Sequence, residues 1–254
     1  MIPLAAAGPV FFILGLCVGS FLNVVIARVP EGRSIVSPGS ACPRCSTSIA
    51  WHDNIPLLSF VLLRAHCRKC GEPISWRYPA VELITGLLFV WAVVERGLTV
   101  DLIPALLLVT GLVAITGIDL DHQLIPDTIS IPGIVVGLVA SSVTGRPGWL
   151  SSLTGILVGG GIFLLIIVAS RGGMGGGDMK LGAMLGAFLG WKLALVGILL
   201  AVLAGGVLAI VVLLTRRKGR KDAIPFGPFL ALGGVVSLFW GEALLAWYLG
   251  TFAG

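Results

Sequence analysis

Residues 193–214 run for more than five helical turns without one charged side chain, and that run decides the solvent in which the chain folds. About 20 consecutive apolar residues are what a helix needs to cross the roughly 30 Å hydrocarbon core of a bilayer. Seven further apolar segments accompany it, centred on 9–27, 80–94, 102–118, 128–143, 150–170, 179–190 and 226–249. Charged residues make up only 11% of the chain, against about 25% in a soluble domain. The sequence therefore predicts an all-α, polytopic membrane bundle of about eight transmembrane helices. The segment 179–190 stands apart, being twelve residues long and rich in glycine and alanine. It suits a half-length or tilted helix packed inside the bundle better than an ordinary span.

Basic residues orient the bundle. With the N-terminus outside, the inner loops hold Arg28, Arg33, Arg44, Arg64, Arg68, Lys69 and Arg77, then Arg171 and Lys180, then Arg216, Arg217, Lys218, Arg220 and Lys221. The outer loops hold only Arg96, Arg146 and Lys192 of the 17 basic residues. This asymmetry follows the positive-inside rule and predicts both termini outside. The net charge of +5 has the same origin, so contact with anionic membrane lipid accounts for it and nucleic-acid binding has no place. The first segment lacks a basic stretch before it and a small-residue cleavage site after it, and reads as the first helix rather than a secretory signal.

Composition divides the chain into that helix (1–28), a segment rich in glycine, proline, arginine and cysteine (29–79), and a helical core (80–254). The middle segment contains Cys42-Pro43-Arg44-Cys45 and Cys67-Arg68-Lys69-Cys70. Two CxxC pairs at this separation have the ligand spacing of a structural zinc ribbon, so Cys42, Cys45, Cys67 and Cys70 are expected to hold Zn2+ in a zinc-ribbon-like loop. Two disulfides are the alternative, disfavoured on the reducing cytoplasmic side. About fifty residues bury little core, so a metal clip also answers a need for stability. Four thiolates leave no open position for a water nucleophile, which makes the role structural. Cys17 reads as a small packing residue, and His52 and His66 as neighbours of the knuckles rather than ligands.

Ionisable groups at membrane depth are costly, so each one needs a reason. Glu95, Asp101 and Glu242 lie near helix ends on the outer side and read as solvated; Asp53, Glu72 and Glu82 border the cysteine loop, where salt bridges to its arginines are expected. The stretch Asp119-Leu120-Asp121-His122-Gln123-Leu124-Ile125-Pro126-Asp127 is different, with three carboxylates and no Lys or Arg between two apolar segments. Asp119 directly continues the third apolar segment. Asp121 reads as a solvated neighbour, and Asp127 as a helix N-cap or first-turn acid at least as readily as a chemical group. A second feature, Gly175-Gly176-Gly177-Asp178-Met179-Lys180, leads a glycine run into the short segment. Glycines such as Gly175 and Gly177 let an aspartate be pressed against another helix. Phosphate binding there ranks low, because no strand or Walker spacing precedes the run and the aspartate would repel an anion. Charge counting puts Asp119 and Asp178 on the same, cytoplasmic side. Two carboxylates in a partly dehydrated site share a proton, and one can activate water while the other polarises a carbonyl. No Ser/His/Asp set or HExxH competes.

Together these residues resemble the bacterial type IV prepilin peptidases, of the GxGD class of intramembrane aspartic proteases. The resemblance is carried by Gly19-Ser20-Phe21-Leu22-Asn23 with Arg28-Val29-Pro30, both CxxC pairs, Asp53-Asn54-Ile55-Pro56-Leu57-Leu58-Ser59, Arg77-Tyr78-Pro79 with Glu82, Ile125-Pro126-Asp127, and Gly175 to Lys180. It implies that Asp119, six positions before Ile125, and Asp178 are the catalytic pair. It also implies removal of a basic leader after a glycine from prepilins or pseudopilins of a pilus or secretion system, at the inner membrane of a bacterium. Methylation of the new N-terminus with S-adenosylmethionine is implied by the resemblance alone. On this reading Asp121 and Asp127 attract the basic leader, and Lys180 tunes Asp178. A cation- or proton-coupled transporter using the same aspartates predicts mid-membrane carboxylates and internal repeats, which the sequence lacks. A zinc-ribbon scaffold leaves both aspartate elements without purpose.

Overall fold

The computed structural model describes residues 4–171, 173–215 and 225–252 and is all-helical among them. The basic run from Arg216 to Lys221 lies outside the described residues. The chain forms two compact units, Met1–Leu102 and Ile103–Gly254.

In the first unit, α1 (Leu4–Arg28) and α3 (Arg77–Arg96) pack together and carry the cysteine loop between them, with a 3-10 turn (Trp51–Asn54) and the short α2 (Leu58–Leu62). Small residues bring the two long helices together: a Cβ on Gly15 would sit 2.7 Å from the Gly86 Cα, and one on Gly19 2.6 Å from the Glu82 Cα. Such close approach is how helices gain contact where lipid supplies no hydrophobic drive. Cys17, expected to pack, instead lies on the exposed face of α1, which apolar solvent tolerates.

The second unit comprises α4 (Leu102–His122, its first residue on the boundary), α5 (Asp127–Thr144), α6 (Trp149–Ala169), α7 (Gly176–Leu214) and α8 (Gly227–Phe252). Among the described residues, seven helices are long and apolar enough to cross a membrane. The sixth of these, α7, contains Gly190 at φ 74° and ψ 170°, far from helical values. Its contacts show what happens there. The first arm, 176–189, runs parallel to α5 and α8: Gly133 and Gly137 meet Met184 and Phe188, and Gly234 meets Leu185. The second arm, 191–214, runs antiparallel to α8, with Leu193 beside Ser237, Gly197 beside Gly233 and Gly205 beside Phe226. The chain therefore turns back on itself at Gly190, and α7 supplies two of the eight expected segments.

The first arm is the short segment singled out by the sequence. At 1.5 Å per residue it is about 21 Å long, and residues 181–187 are all buried. It is held against α6 by facing glycines: a Cβ on Gly155 would come within 2.3 Å of the Gly186 carbonyl oxygen, and one on Gly159 within 2.2 Å of that of Gly182. The Ser152 hydroxyl adds a 2.6 Å hydrogen bond to the Ala187 carbonyl. The second arm faces outward along most of its length.

Candidate active site and cysteine cluster

The carboxylate site begins with the end of α4. The Gln123 N–H donates to the Asp119 carbonyl at 2.9 Å, Gln123 takes φ 52°, and the helix stops. Ile125 and Pro126 then continue in extended form and are buried, and α5 starts at Asp127 with Pro126 as the preceding residue. Asp127 is thus the first-turn acid, not the cap.

Ile125 links the two aspartate elements. A Cβ on Gly177 would lie 2.8 Å from the Ile125 Cβ, so the glycine before Asp178 is the seat for this side chain. The Gly175 carbonyl accepts the Asp178 N–H at 3.2 Å as α7 begins. Seated in this way, Asp178 is close enough to Asp119 for their charges to act on each other. Asp119 is 5% exposed, and burying a carboxylate demands a donor. The Gly227 N–H supplies one to Oδ2 at 2.9 Å, from the N-terminus of α8. An unsatisfied helix-terminal N–H and the positive end of the helix dipole both favour an anion there. A Cβ on Gly227 would sit 2.6 Å from that oxygen.

Gly227, within Pro225-Phe226-Gly227-Pro228, has no side chain to mark it as a site residue in the sequence. A Pro-x-Gly-Pro stretch opening an apolar segment was the available signal. Asp121 lies exposed one residue past Leu120. The Lys180 ammonium pairs with the Asp127 carboxylate at 2.5 Å, so its direct partner is Asp127 rather than Asp178.

In the first unit the four cysteine sulfurs lie within 4.8 Å of one another, and Cys42 and Cys70 are 3.8 Å apart. No disulfide forms among them. A tetrahedral Zn2+ with Zn–S bonds of about 2.3 Å separates its sulfurs by about 3.8 Å, so this donor set fits the ion. The two knuckles are built alike at an offset of 25 residues. Cys42 N–H donates to the Thr47 carbonyl as Cys67 N–H does to Glu72, Ile49 N–H to Ser40 as Ile74 N–H to Ala65, and Ser46 and Gly71 both take positive φ. Hydrogen bonds from Thr47 hold the Cys45 thiol down at about 6. Backbone N–H groups of Cys70 and Lys69 lower that of Cys67. The Glu72 N–H favours the Cys70 thiolate, but burial and the three neighbouring sulfurs push this thiol up to about 12. Before metal arrives, such a cluster holds thiolate and thiol together, so loading a divalent ion releases protons.

Asp53 forms the expected salt bridge, bidentate to Arg68 at 2.6 and 2.8 Å, which keeps its carboxyl below the usual range. Glu72 reaches Arg44 only at 4.0 Å. Glu82 departs from expectation. It is buried at the first turns of α3 and accepts the Leu57 N–H at 2.9 Å and a bond from Ser20, pinning the loop to α1 and α3 without an arginine.

The family model described as Bacterial Peptidase A24 N-terminal domain matches residues 13–96, and that described as Type IV leader peptidase family matches 106–210. A prepilin leader peptidase/N-methyltransferase from Myxococcus xanthus is 50% identical over 84% of this chain and 67% of its own length. Proteins of the same name from Pseudomonas aeruginosa and Aeromonas hydrophila are 39% and 38% identical, each over 95% of this chain and 93% of their own. No solved structure matches significantly. The two models cover the two compact units in turn, and with relatives aligned over nearly their full length, the chain belongs to the type IV leader peptidase family.

Proposed function

We propose that this multi-pass membrane protein is an aspartic endopeptidase that removes the basic leader from type IV prepilins or pseudopilins, cutting after a glycine, with Asp119 and Asp178 as its catalytic residues. The observation that carries the reading is that the Asp119 and Asp178 elements meet at one end of the second unit through the Ile125–Gly177 contact, with the Gly227 N–H donating to Asp119. One carboxylate is ionised and takes a proton from water, whose oxygen attacks the scissile carbonyl carbon. The other, protonated, donates to the carbonyl oxygen. As the C–N bond breaks, the leaving amine takes the proton that came from water, and a hydroxyl of the collapsing tetrahedral intermediate returns its proton to the carboxylate that had donated one, which restores the pair. Gly227 favours Asp119 as the ionised member, because its N–H and the helix terminus stabilise negative charge there.

A prepilin helix sits in the membrane with its basic leader in the cytoplasm, which places the cut at the inner boundary. The distribution of Lys and Arg supports a cytoplasmic position for the aspartates and the cysteine loop, with both termini outside. At the aspartate end the Lys180 ammonium already neutralises Asp127, so the anionic lipid headgroups contribute to the attraction of a basic leader. Cys42, Cys45, Cys67 and Cys70 would hold Zn2+, which shapes the loop and takes no part in hydrolysis.

The names of the relatives include N-methyltransferase, and methylation of the freed N-terminus belongs to the proposal. S-adenosylmethionine would supply the methyl group. The cavity lined by Asn23, Ala27, Ser75, Arg77 and Tyr78 holds about 120 Å³, below the roughly 300 Å³ at which small-molecule sites begin. That cavity does not fit the donor. The transporter reading finds no support, since both aspartates lie beside helix ends rather than midway along the bundle.

Purified wild type, Asp119→Asn and Asp178→Asn, each mixed with a prepilin in detergent, test the pair by a gel shift for leader loss. Each variant should be slower by roughly 10²-fold or more. Wild-type activity in either one sinks the dyad.

A further inference from the structure

Beside the carboxylates lies a cavity of about 310 Å³ walled by Phe163, Met174, Gly206, Ala209, Phe226 and Phe229. This is about twice the volume of an apolar cavity able to bind benzene. The aromatic rings form one wall: Phe163 and Phe226 meet edge-on at 6.0 Å, and Phe226 and Phe229 are 6.5 Å apart. No wall residue is charged, so an occupant with a polar head would lose its hydrogen bonds on entering.

Three links tie the cavity to the site. Phe226 immediately precedes Gly227, whose N–H holds Asp119. Met174 stands four residues before Asp178 in the same glycine run. Phe163 lies against Gly182, one turn beyond Asp178, where a Cβ would be 2.6 Å from its ring. The segments that support the two carboxylates are therefore also the walls of the cavity.

The glycine at 206 points the same way. Gly155, Gly182 and Gly186 are explained by backbone packed against them, but a Cβ on Gly206 would meet nothing within 4 Å. A mid-helix glycine costs about 1 kcal/mol relative to alanine, and no packing partner accounts for it here. The space it leaves open belongs to the cavity.

We propose that this cavity is a subsite that receives one large apolar side chain of the substrate, from the residues just on the membrane side of the cleaved bond. The proposal rests on the peptidase reading. A substrate whose scissile bond lies between Asp119 and Asp178 continues as an apolar segment, and the cavity that Met174 and Phe226 line adjoins the segments that support those carboxylates. A lipid chain could fill the same volume but would have no reason to share walls with the carboxylates.

The test is a specificity ratio measured on the full chain in detergent. Prepilins in which each of the first four residues after the cut is singly replaced by alanine are compared with the unaltered prepilin by kcat/KM. In wild type, one replacement should lower kcat/KM ten- to a hundredfold, the range expected for removing most of an apolar side chain from its pocket. In Gly206→Leu, which fills the space, the ratio at that position should fall to near one. The milder Gly206→Ala should lower it part way, and it decides the matter if Gly206→Leu is inactive throughout. An unchanged ratio in Gly206→Ala and in any active Gly206→Leu overturns the subsite and leaves the cavity to lipid. Failure of the peptidase reading is separate: the prepilin is then cut no faster by wild type than by Asp178→Asn.

Discussion

A buried carboxylate in a membrane helix survives only if something in the fold donates to it, and for Asp119 that donor is one backbone N–H. The residue bearing this N–H must be glycine for a steric reason: the 2.6 Å between an added Cβ and Oδ2 is shorter than any real contact. Gly227→Ala should therefore displace the Asp119 carboxylate rather than unfold α8. A displacement near 1 Å costs about 10²-fold in rate, so leader cleavage should fall by that order while the melting temperature in detergent changes little. Equal loss of both would mean that Gly227 serves packing alone. Asp119 and Asp178 were legible as candidates because unpaired charge in an apolar sequence is expensive. Gly227 was not, because its contribution is a backbone group, and all residue types but proline carry the same one.

At the scale of helices, glycine has two uses that the sequence does not distinguish. Along α6, Gly155 touches the backbone of α7, whereas an added Cβ on Gly161 would meet nothing within 4 Å. Gly155→Ala should force the helices apart and destabilise the protein by about 1–3 kcal/mol. Gly161→Ala should be neutral or stabilising by up to about 1 kcal/mol, from helix propensity. Thermal unfolding of the two variants side by side gives the comparison, and equal destabilisation would remove the glycine seam from the account. The same ambiguity hid the turn in α7. A twelve-residue segment followed by a charge-free run was readable as two pieces, and Lys192 as the residue between them. That the chain reverses at Gly190, with no loop at all, follows from a φ of 74° and from the Pro147 and Ser151 side chains against that glycine.

For the molecule as a whole, membrane orientation and metal binding are joined in one expectation. If the cysteine loop is cytoplasmic and holds Zn2+, a membrane-impermeant maleimide should label it only in inverted vesicles, and only after a chelator has removed the ion. Labelling in right-side-out vesicles would reverse the topology; rapid labelling without chelation would deny the metal. The relatedness of the knuckles shows in the sequence as Cys42, Cys45, Ile49 and Trp51 recurring 25 positions on as Cys67, Cys70, Ile74 and Trp76, and the structure adds the shared hydrogen bonds and the positive φ carried by Ser46 in one copy and Gly71 in the other.

By itself the sequence determined the solvent, the helical class, the eight apolar segments, the four paired cysteines and the two acidic elements. Each of these is a matter of local composition or spacing, and the energy of transferring a charge or an apolar side chain depends little on which partner is met. The tertiary structure alone decided that Ile125 seats on Gly177, that α8 returns its first N–H to Asp119 across 108 positions, and that an apolar cavity opens next to the pair. These are contacts between distant residues of ordinary type, and only the packed shape of the helices selects them.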